Sequence, residues 1–146
     1  MKSIAIHDKV TAIGNSAFCG SGLTTITIPK GVNELGMYIF EDCQSLKSAI
    51  LECDVEKIPD GTFYRCENLQ TVIIPACIKE IGEIAFSDCT RLEEIHCKAT
   101  MPPAAIVGAF NNVGLVVGGC TLYVPQGSKS LYESAENWPP YSIVEE

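Results

Sequence analysis

A 23-residue period is the feature of this sequence that most limits what the chain can fold into. Leucine, phenylalanine and cysteine each recur at this step, at Leu23, Leu46, Leu69 and Leu92, at Phe40, Phe63 and Phe86, and at Cys43, Cys66 and Cys89. A unit of this size cannot bury its own apolar face, whereas stacked units share one continuous core. The period therefore predicts a solenoid in which each repeat forms one coil.

Each repeat opens with a strand pattern. Apolar residues stand three and five positions after the leucine, as in Leu69, Val72 and Ile74. This alternation is typical of a strand with one buried face. Counting the partial repeats at the two ends, which contain Ile4 and Ile6 and then Leu122 and Val124, the chain has six such strands. We expect stacked right-handed coils with a parallel β-sheet on one face, about 24 Å wide at ~4.8 Å per strand. Short helical or 3₁₀ turns are expected opposite it.

The repeat resembles a known family. The segment Leu69–Cys89 follows L-x-x-I-x-I-P-x-x-V-x-x-I-G-x-x-A-F-x-x-C with conservative exchanges. This pattern is similar to the treponemal, or BspA-like, type of leucine-rich repeat. The tail from Tyr123 to Ile143 is similar to the C-terminal cap of such proteins in gut bacteria. The resemblance covers residues 3 to 146, and it implies a leucine-rich-repeat solenoid over residues 1–125 and a cap over residues 126–146 in the same structural domain.

The cap is expected to contain a short helix that closes the core. Ser128 is a candidate N-cap, and three residues are predicted to share one helix face: Leu131, Tyr132 and Ala135. Trp138 should bury its ring against the last strand, and Pro139 and Pro140 should end the helix. The N-terminal end has no comparable cap. Either more repeats precede it in the natural protein, or the first strand is bare.

Charge excludes several classes of partner. The chain has 10 basic and 18 acidic residues, a net charge of −8, so it cannot form the cationic surface that nucleic acid or an anionic membrane requires. The longest apolar runs, such as Val72–Ile74, are far too short to cross a bilayer. We expect no nucleic-acid partner and no direct membrane insertion.

Catalytic and metal chemistry have little support in the sequence. His7 is expected in a solvated loop. His96 and Glu94 share one strand face, but Cys97 points to the other face, and no nucleophile is fixed near the histidine. There is no C-x-x-C pair of the kind common in zinc sites. We predict no catalytic residue, no metal and no cofactor.

The cysteine pattern favours buried thiols over a disulfide scaffold. Cys43, Cys66 and Cys89 occupy one column and should point together into the core as free thiols. Cys53 and Cys77 fall one column apart on neighbouring coils. A disulfide between these two is a second interpretation that the sequence leaves open.

The outward positions of the strands form the candidate binding surface. One column is small and polar, and the other carries apolar and aromatic side chains between Ala5 and Tyr123. The candidate binding residues are Thr25, Thr27, Ser48, Ile50, Thr71, Ile73, Glu94, His96 and Tyr123. Solenoids commonly bind partners on such extended faces. Exposed β-branched residues also simply suit a pleated sheet, which is the competing explanation.

The leading functional hypothesis is a non-enzymatic module that binds a protein or glycan ligand, including one from a host. The family resemblance implies an adhesin-like protein at the cell surface or secreted by a host-associated bacterium. The alternative function is a structural spacer with no ligand of its own. The alternative location is the cytoplasm, which reduced thiols would suit.

Overall fold

The computed structural model describes residues 2–139 and 141–146, so Pro140 and its predicted role lie outside the described residues. The elements in chain order are β1 (Lys2–Ser3), β2 (Ala12–Ile13), β3 (Leu23–Ile28), β4 (Glu34–Leu35), β5 (Ser48–Leu51), β6 (Lys57–Ile58), β7 (Thr71–Ile74), β8 (Glu80–Ile81), β9 (Glu94–Cys97), β10 (Ala104–Ala105), β11 (Thr121–Val124), α1 (Lys129–Glu133) and β12 (Ser142–Glu145).

One wall of the solenoid is a seven-stranded sheet in the order β1-β3-β5-β7-β9-β11-β12. Its pairs are parallel, and the central ones keep the period, with Thr25 opposite Ser48, Ser48 opposite Thr71 and Thr71 opposite Glu94. Five of the six strands predicted from the repeats are present as expected, the first one is shifted to Lys2–Ser3, and the leucine-rich-repeat solenoid is confirmed. Parallel strands are joined here by whole coils, so consecutive repeats become neighbours in the sheet.

The core consists of side-chain columns that run through the stack. The phenylalanine rings stack at centroid distances of 5.3–5.5 Å from Phe18 through Phe40, Phe63 and Phe86 to Phe110. Each thiol of the cysteine column donates a hydrogen bond to the phenylalanine carbonyl of the preceding coil, for example Cys66 Sγ to Phe40 O at 3.0 Å. The prediction of buried free thiols is confirmed for Cys43, Cys66 and Cys89.

The wall opposite the large sheet consists of hydrogen-bonded turns. In one coil, Cys66 N donates to Phe63 O and Leu69 N donates to Cys66 O. These are the three-residue steps of a 3₁₀ turn. The residue before each cysteine of the core column has a left-handed backbone, with φ values of 58° at Asp42, 59° at Arg65 and 62° at Asp88. This conformation reverses the chain so that the cysteine enters the core.

The first coil is less regular than expected. Strand β1 ends at Ser3, so Ile4 and Ile6 lie outside it, and Ile4 is 47% exposed. Ala5, which we placed in the outward column, is also outside the strand. The physical reason is that β1 has a sheet neighbour on only one side, and a strand with a single neighbour has fewer hydrogen bonds to extend it.

The cap differs from the expectation in three respects. Helix α1 ends at Glu133, before Ala135 and well before Pro139, and Leu131 is 40% exposed. The Ser128 hydroxyl donates to Pro125 O instead of capping the helix. The tail then adds strand β12, which pairs in parallel with β11 and was not predicted.

Two aromatic residues close the core at this end. The burial of Trp138 is confirmed, but the ring that was predicted against the last strand instead continues the phenylalanine column, at 4.8 Å from Phe110. Its indole N–H donates to Pro103 O at 2.8 Å. Tyr132 meets the tryptophan ring edge-on at 5.2 Å, and its hydroxyl donates to Ala99 O at 2.6 Å.

Candidate functional site

The outward face of the large sheet places all nine candidate residues in two adjacent columns. The alternation of the strands turns their inward residues into the core and leaves the others on the surface. The first column contains Thr25, Ser48, Thr71, Glu94 and Thr121. The second column contains Thr27, Ile50, Ile73, His96 and Tyr123. We call this surface the strand face.

The strand face is close-packed along each column. Ile50 and Ile73 face each other across paired strands, and both are half-buried. Same-face neighbours on adjacent strands are about 5 Å apart, so each side chain covers part of the next. The surface that Ile50 and Ile73 offer a partner is therefore a narrow apolar strip between the threonine end and the aromatic end.

The aromatic end is built by one stacked pair and its charged neighbours. The imidazole of His96 lies 4.4 Å from the Tyr123 ring, with the two planes 5° apart. His96 Nε2 is 3.3 Å from Glu94 Oε2, and His96 Nδ1 is 3.0 Å from Glu146 Oε1. The ring is thus held from its face and from both nitrogens, which presents it to solvent in a fixed orientation.

Glu146 was missed at the sequence level. It reaches the site because β12 pairs with β11 and carries the chain back beside His96. Lys98 Nζ is 2.7 Å from the same Glu146 oxygen. Two hydrogen bonds lower the pKa of the Glu146 carboxyl. The one from Lys98 has the larger effect, and the one from His96 has the smaller effect. The tail lies outside the repeats, so the repeat pattern could not predict the position of Glu146.

The threonine end adjoins a cavity of about 310 Å³. Thr25 and Thr27 line it together with Ile4 and Ile6 of the irregular first coil. Two hydroxyls beside apolar side chains form a small amphipathic recess at this edge of the strand face. The threonine end of the strand face is therefore concave, whereas the aromatic end is flat.

The candidate base His96 meets Glu94, but the candidate nucleophile Cys97 is on the other face of the strand. Cys97 is buried on the opposite side of β9, and its Sγ lies 3.2 Å from the Tyr132 hydroxyl oxygen. Burial raises the pKa of the Cys97 thiol, which disfavours the nucleophilic thiolate. The side chain of His7 is 68% exposed and contacts Asp8. Within residues 2–139 and 141–146, no three His, Cys, Asp or Glu side chains are placed to hold a metal.

Cys53 and Cys77 are both free thiols. Cys77 Sγ donates to the carbonyl of Cys53 at 3.3 Å, so the two residues do lie on neighbouring coils as expected. Burial raises the pKa of Cys53 to about 11. The disulfide interpretation is not supported by this arrangement.

Comparison with known proteins identifies the family. Residues 1–106 match the BspA type leucine-rich repeat region in six copies, so the chain belongs to this family. Solenoids of this family are typically non-enzymatic scaffolds, and their extended faces are suited to protein interaction. No curated protein matches the sequence significantly.

Solved bacterial structures share the fold. A leucine-rich repeat protein from Eubacterium ventriosum has a TM-score of 0.67 and 25% identity, over 77% of this chain and 37% of that one. The T. pallidum leucine-rich repeat protein has a TM-score of 0.63 and 24% identity, over 94% and 64%. A leucine-rich repeat protein from Bacteroides ovatus has a TM-score of 0.52 and 19% identity, over 97% and 47%.

This chain therefore spans between about a third and two thirds of the length of these three structures. In the described part of the chain, no helix has the length and apolar character needed to cross a membrane.

Proposed function

We propose that the chain is a non-enzymatic interaction module that holds a protein or glycan ligand on the strand face. The observation that carries this proposal is the continuous outward column Thr27, Ile50, Ile73, His96 and Tyr123. It combines an apolar strip with a rigid aromatic pair and runs beside a column of hydroxyls. Aromatic and apolar anchors beside satisfied polar groups are the usual composition of a binding surface.

The chemistry of the two ends suits different parts of one ligand. The stacked rings of His96 and Tyr123 offer a flat surface for an apolar ligand face, and Glu94 adds an acceptor next to them. The hydroxyls of Thr25, Ser48 and Thr71 offer donors and acceptors along the sheet. A ligand that lies across the strands would meet all of these groups without entering a deep pocket.

The proposed context is a cell-surface or secreted protein with an adhesin-like role and a host ligand. Membership in the BspA-type family supports this context. A purely structural spacer is the second candidate function, and the half-burial of Ile50 and Ile73 favours it, because these side chains already have packing partners within the sheet.

Binding of the purified chain to a panel of host matrix proteins and glycans tests the proposal. The variant Ile50→Asp/Ile73→Asp places two carboxylates in the strip and should abolish binding while circular dichroism stays that of the parent. The matched control is Leu115→Asp/Val116→Asp, which makes the same change at exposed apolar residues away from the strand face. The control should bind like the parent.

Two results would count against the strand face. Unchanged affinity of Ile50→Asp/Ile73→Asp would remove this surface from the binding site. Absence of binding by the parent to the whole panel would favour the spacer function.

A further inference from the structure

A second surface lies on a different wall, where the short strands form a broken ladder. Strand β2 pairs with β4, and β6 pairs with β8, which in turn pairs with β10. Strands β4 and β6 belong to consecutive coils but to separate sheets. The ladder is therefore interrupted between the second and third coils.

Pro59 explains the interruption. The equivalent positions in the second and fourth coils are Gly36 and Gly82, whose N–H groups each donate at 2.8 Å to the preceding coil, Gly36 to Ile13 O and Gly82 to Ile58 O. A Cβ at Gly36 would clash with the backbone nitrogen of Asn15, so glycine permits the close approach in the second coil. In the fifth coil Ile106 occupies this column and still donates its N–H to Ile81 O at 3.0 Å, so the N–H that proline lacks is the group whose absence interrupts the ladder.

Pro59 has no N–H to donate to the Leu35 carbonyl, and its ring occupies the space that glycine leaves free. The opening between the coils is local, because hydrogen bonds join the second and third coils on either side of it, from Asp54 N to Val32 O at 3.1 Å and from Tyr38 N to Asp60 O at 3.0 Å. The repeat pattern itself carries the signal, because the residue at this column is glycine in the two flanking coils and proline only here.

The gap is a groove of about 690 Å³. Its accessible apolar lining consists of the half-buried Leu35 and of Met37, which is 44% exposed, whereas Val55 and Pro59, which also line it, are buried. This volume lies in the range of ligand-binding clefts. An apolar surface of this kind beside a free strand edge is a typical place for an extended segment to bind.

The charged residues that line the groove indicate which kind of peptide segment would bind there. Four carboxylates line the groove, at Glu34, Asp54, Glu56 and Asp60, against one lysine, Lys57. Lys57 is already paired with Glu80 at 2.8 Å and with Asp60 at 3.6 Å. Lys79 pairs with Glu56.

Among the ion pairs of the described residues, none involves Glu34 or Asp54. These two carboxylates are exposed and remain available to a cationic ligand.

We propose that this groove binds an extended peptide segment of a partner protein in which basic and apolar residues alternate. Alternate side chains of an extended strand point to opposite sides. The apolar ones would pack on Leu35 and Met37, and the basic ones would meet Glu34 and Asp54. This binding is independent of the strand face.

The probe is a fluorescein-labelled peptide of alternating lysine and valine, and its counterpart has glutamate in place of lysine. Fluorescence anisotropy at about 50 mM salt should give an affinity at least tenfold higher for the lysine peptide, because exposed charges act within a Debye length of about 14 Å under these conditions. Equal affinities for the two peptides would overturn the proposal.

Two variants test the location. Pro59→Gly should restore the ladder and close the groove, which lowers the affinity for the lysine peptide at least fivefold while the thermal midpoint stays within a few degrees of the parent. Glu34→Gln/Asp54→Asn should lower the affinity about fivefold, as expected for two exposed charge pairs.

The matched control is Glu133→Gln/Glu136→Gln in the cap, which removes the same charge elsewhere. Equal losses in the two double variants would mean attraction to the overall charge of −8 and would overturn the proposal. So would unchanged binding by Pro59→Gly. If Pro59→Gly fails to fold, the comparison of the two double variants alone decides.

Discussion

The phenylalanine column makes the sharpest prediction for stability, because its members differ mainly in their place along the stack. Phe63 is fully buried and stacks on two rings, at 5.3 Å from both Phe40 and Phe86. Phe18 is half-buried and stacks on one ring, at 5.5 Å. Replacement of each by alanine removes the same atoms from different surroundings.

The expected magnitudes follow from burial. A fully buried phenylalanine replaced by alanine costs about 3–5 kcal/mol, and each stacked pair adds specific geometry worth about 0.5–1.5 kcal/mol. We therefore expect Phe63→Ala to lower the free energy of unfolding by about 4 kcal/mol. Phe18→Ala, with about half of the burial and one stacked pair, should cost about 2 kcal/mol.

Equilibrium urea unfolding followed by circular dichroism, with a reductant to protect the free thiols, measures both values. Phe63→Leu is the control, since it keeps an apolar side chain but loses both stacked pairs, and it should lie between the parent and Phe63→Ala. Equal losses of unfolding free energy for Phe18→Ala and Phe63→Ala would contradict this prediction, because the cost would then not depend on the neighbouring coils.

Three further predictions concern the thiols, the cap and the strand face. In the native protein a chromogenic disulfide reagent should modify the exposed Cys19 rapidly and the fully buried thiols only on unfolding; rapid reaction of the whole set would contradict the core assignment. Tyr132→Phe removes the donor to the Ala99 carbonyl and should cost about 1–3 kcal/mol in urea unfolding, and no change would mean that the cap does not depend on this bond. The pKa of the Glu146 carboxyl is lowered in the fold by Lys98, so the stability it contributes is present above the ordinary carboxyl range and is lost as the pH falls through the lowered value. Glu146→Gln should accordingly destabilise the protein by about 0.2–1 kcal/mol at pH 7 and by nothing near pH 2, whereas a pH-independent difference would contradict this assignment.

The parts of the fold that could be predicted from the sequence are those that the 23-residue repeat specifies. Leucine, phenylalanine and cysteine at a fixed step identify the coil, because the same side chain must fit the same place in each coil of a stack. The positions of Ile50 and Ile73 on the outer face followed from alternation within the strand. These features are local, and each was specified several times along the chain.

The features that the sequence analysis missed each occur once in the chain and are not repeated from coil to coil. Strand β12 (Ser142–Glu145) lies in the tail, outside the repeat, and it contributes Glu146 to the aromatic end of the strand face. The helix ends at Glu133, although the prolines that follow pointed to a later end. The groove depends on a single deviation from the repeat, Pro59, whose consequence appears only when neighbouring coils are in place.

Whether the strand face binds the ligand is best decided by the affinity of the variant Ile50→Thr/Ile73→Thr for a ligand of the parent. Threonine already occupies the corresponding position at Thr27, and it keeps the β-branched shape that a strand favours, so the fold should be unchanged. We expect this variant to bind at least tenfold more weakly than the parent, as when hot-spot side chains are truncated, and Leu115→Asp/Val116→Asp to bind like the parent. The opposite pattern, with parental affinity in the threonine variant and a loss in the loop variant, would contradict the strand face as the site of recognition.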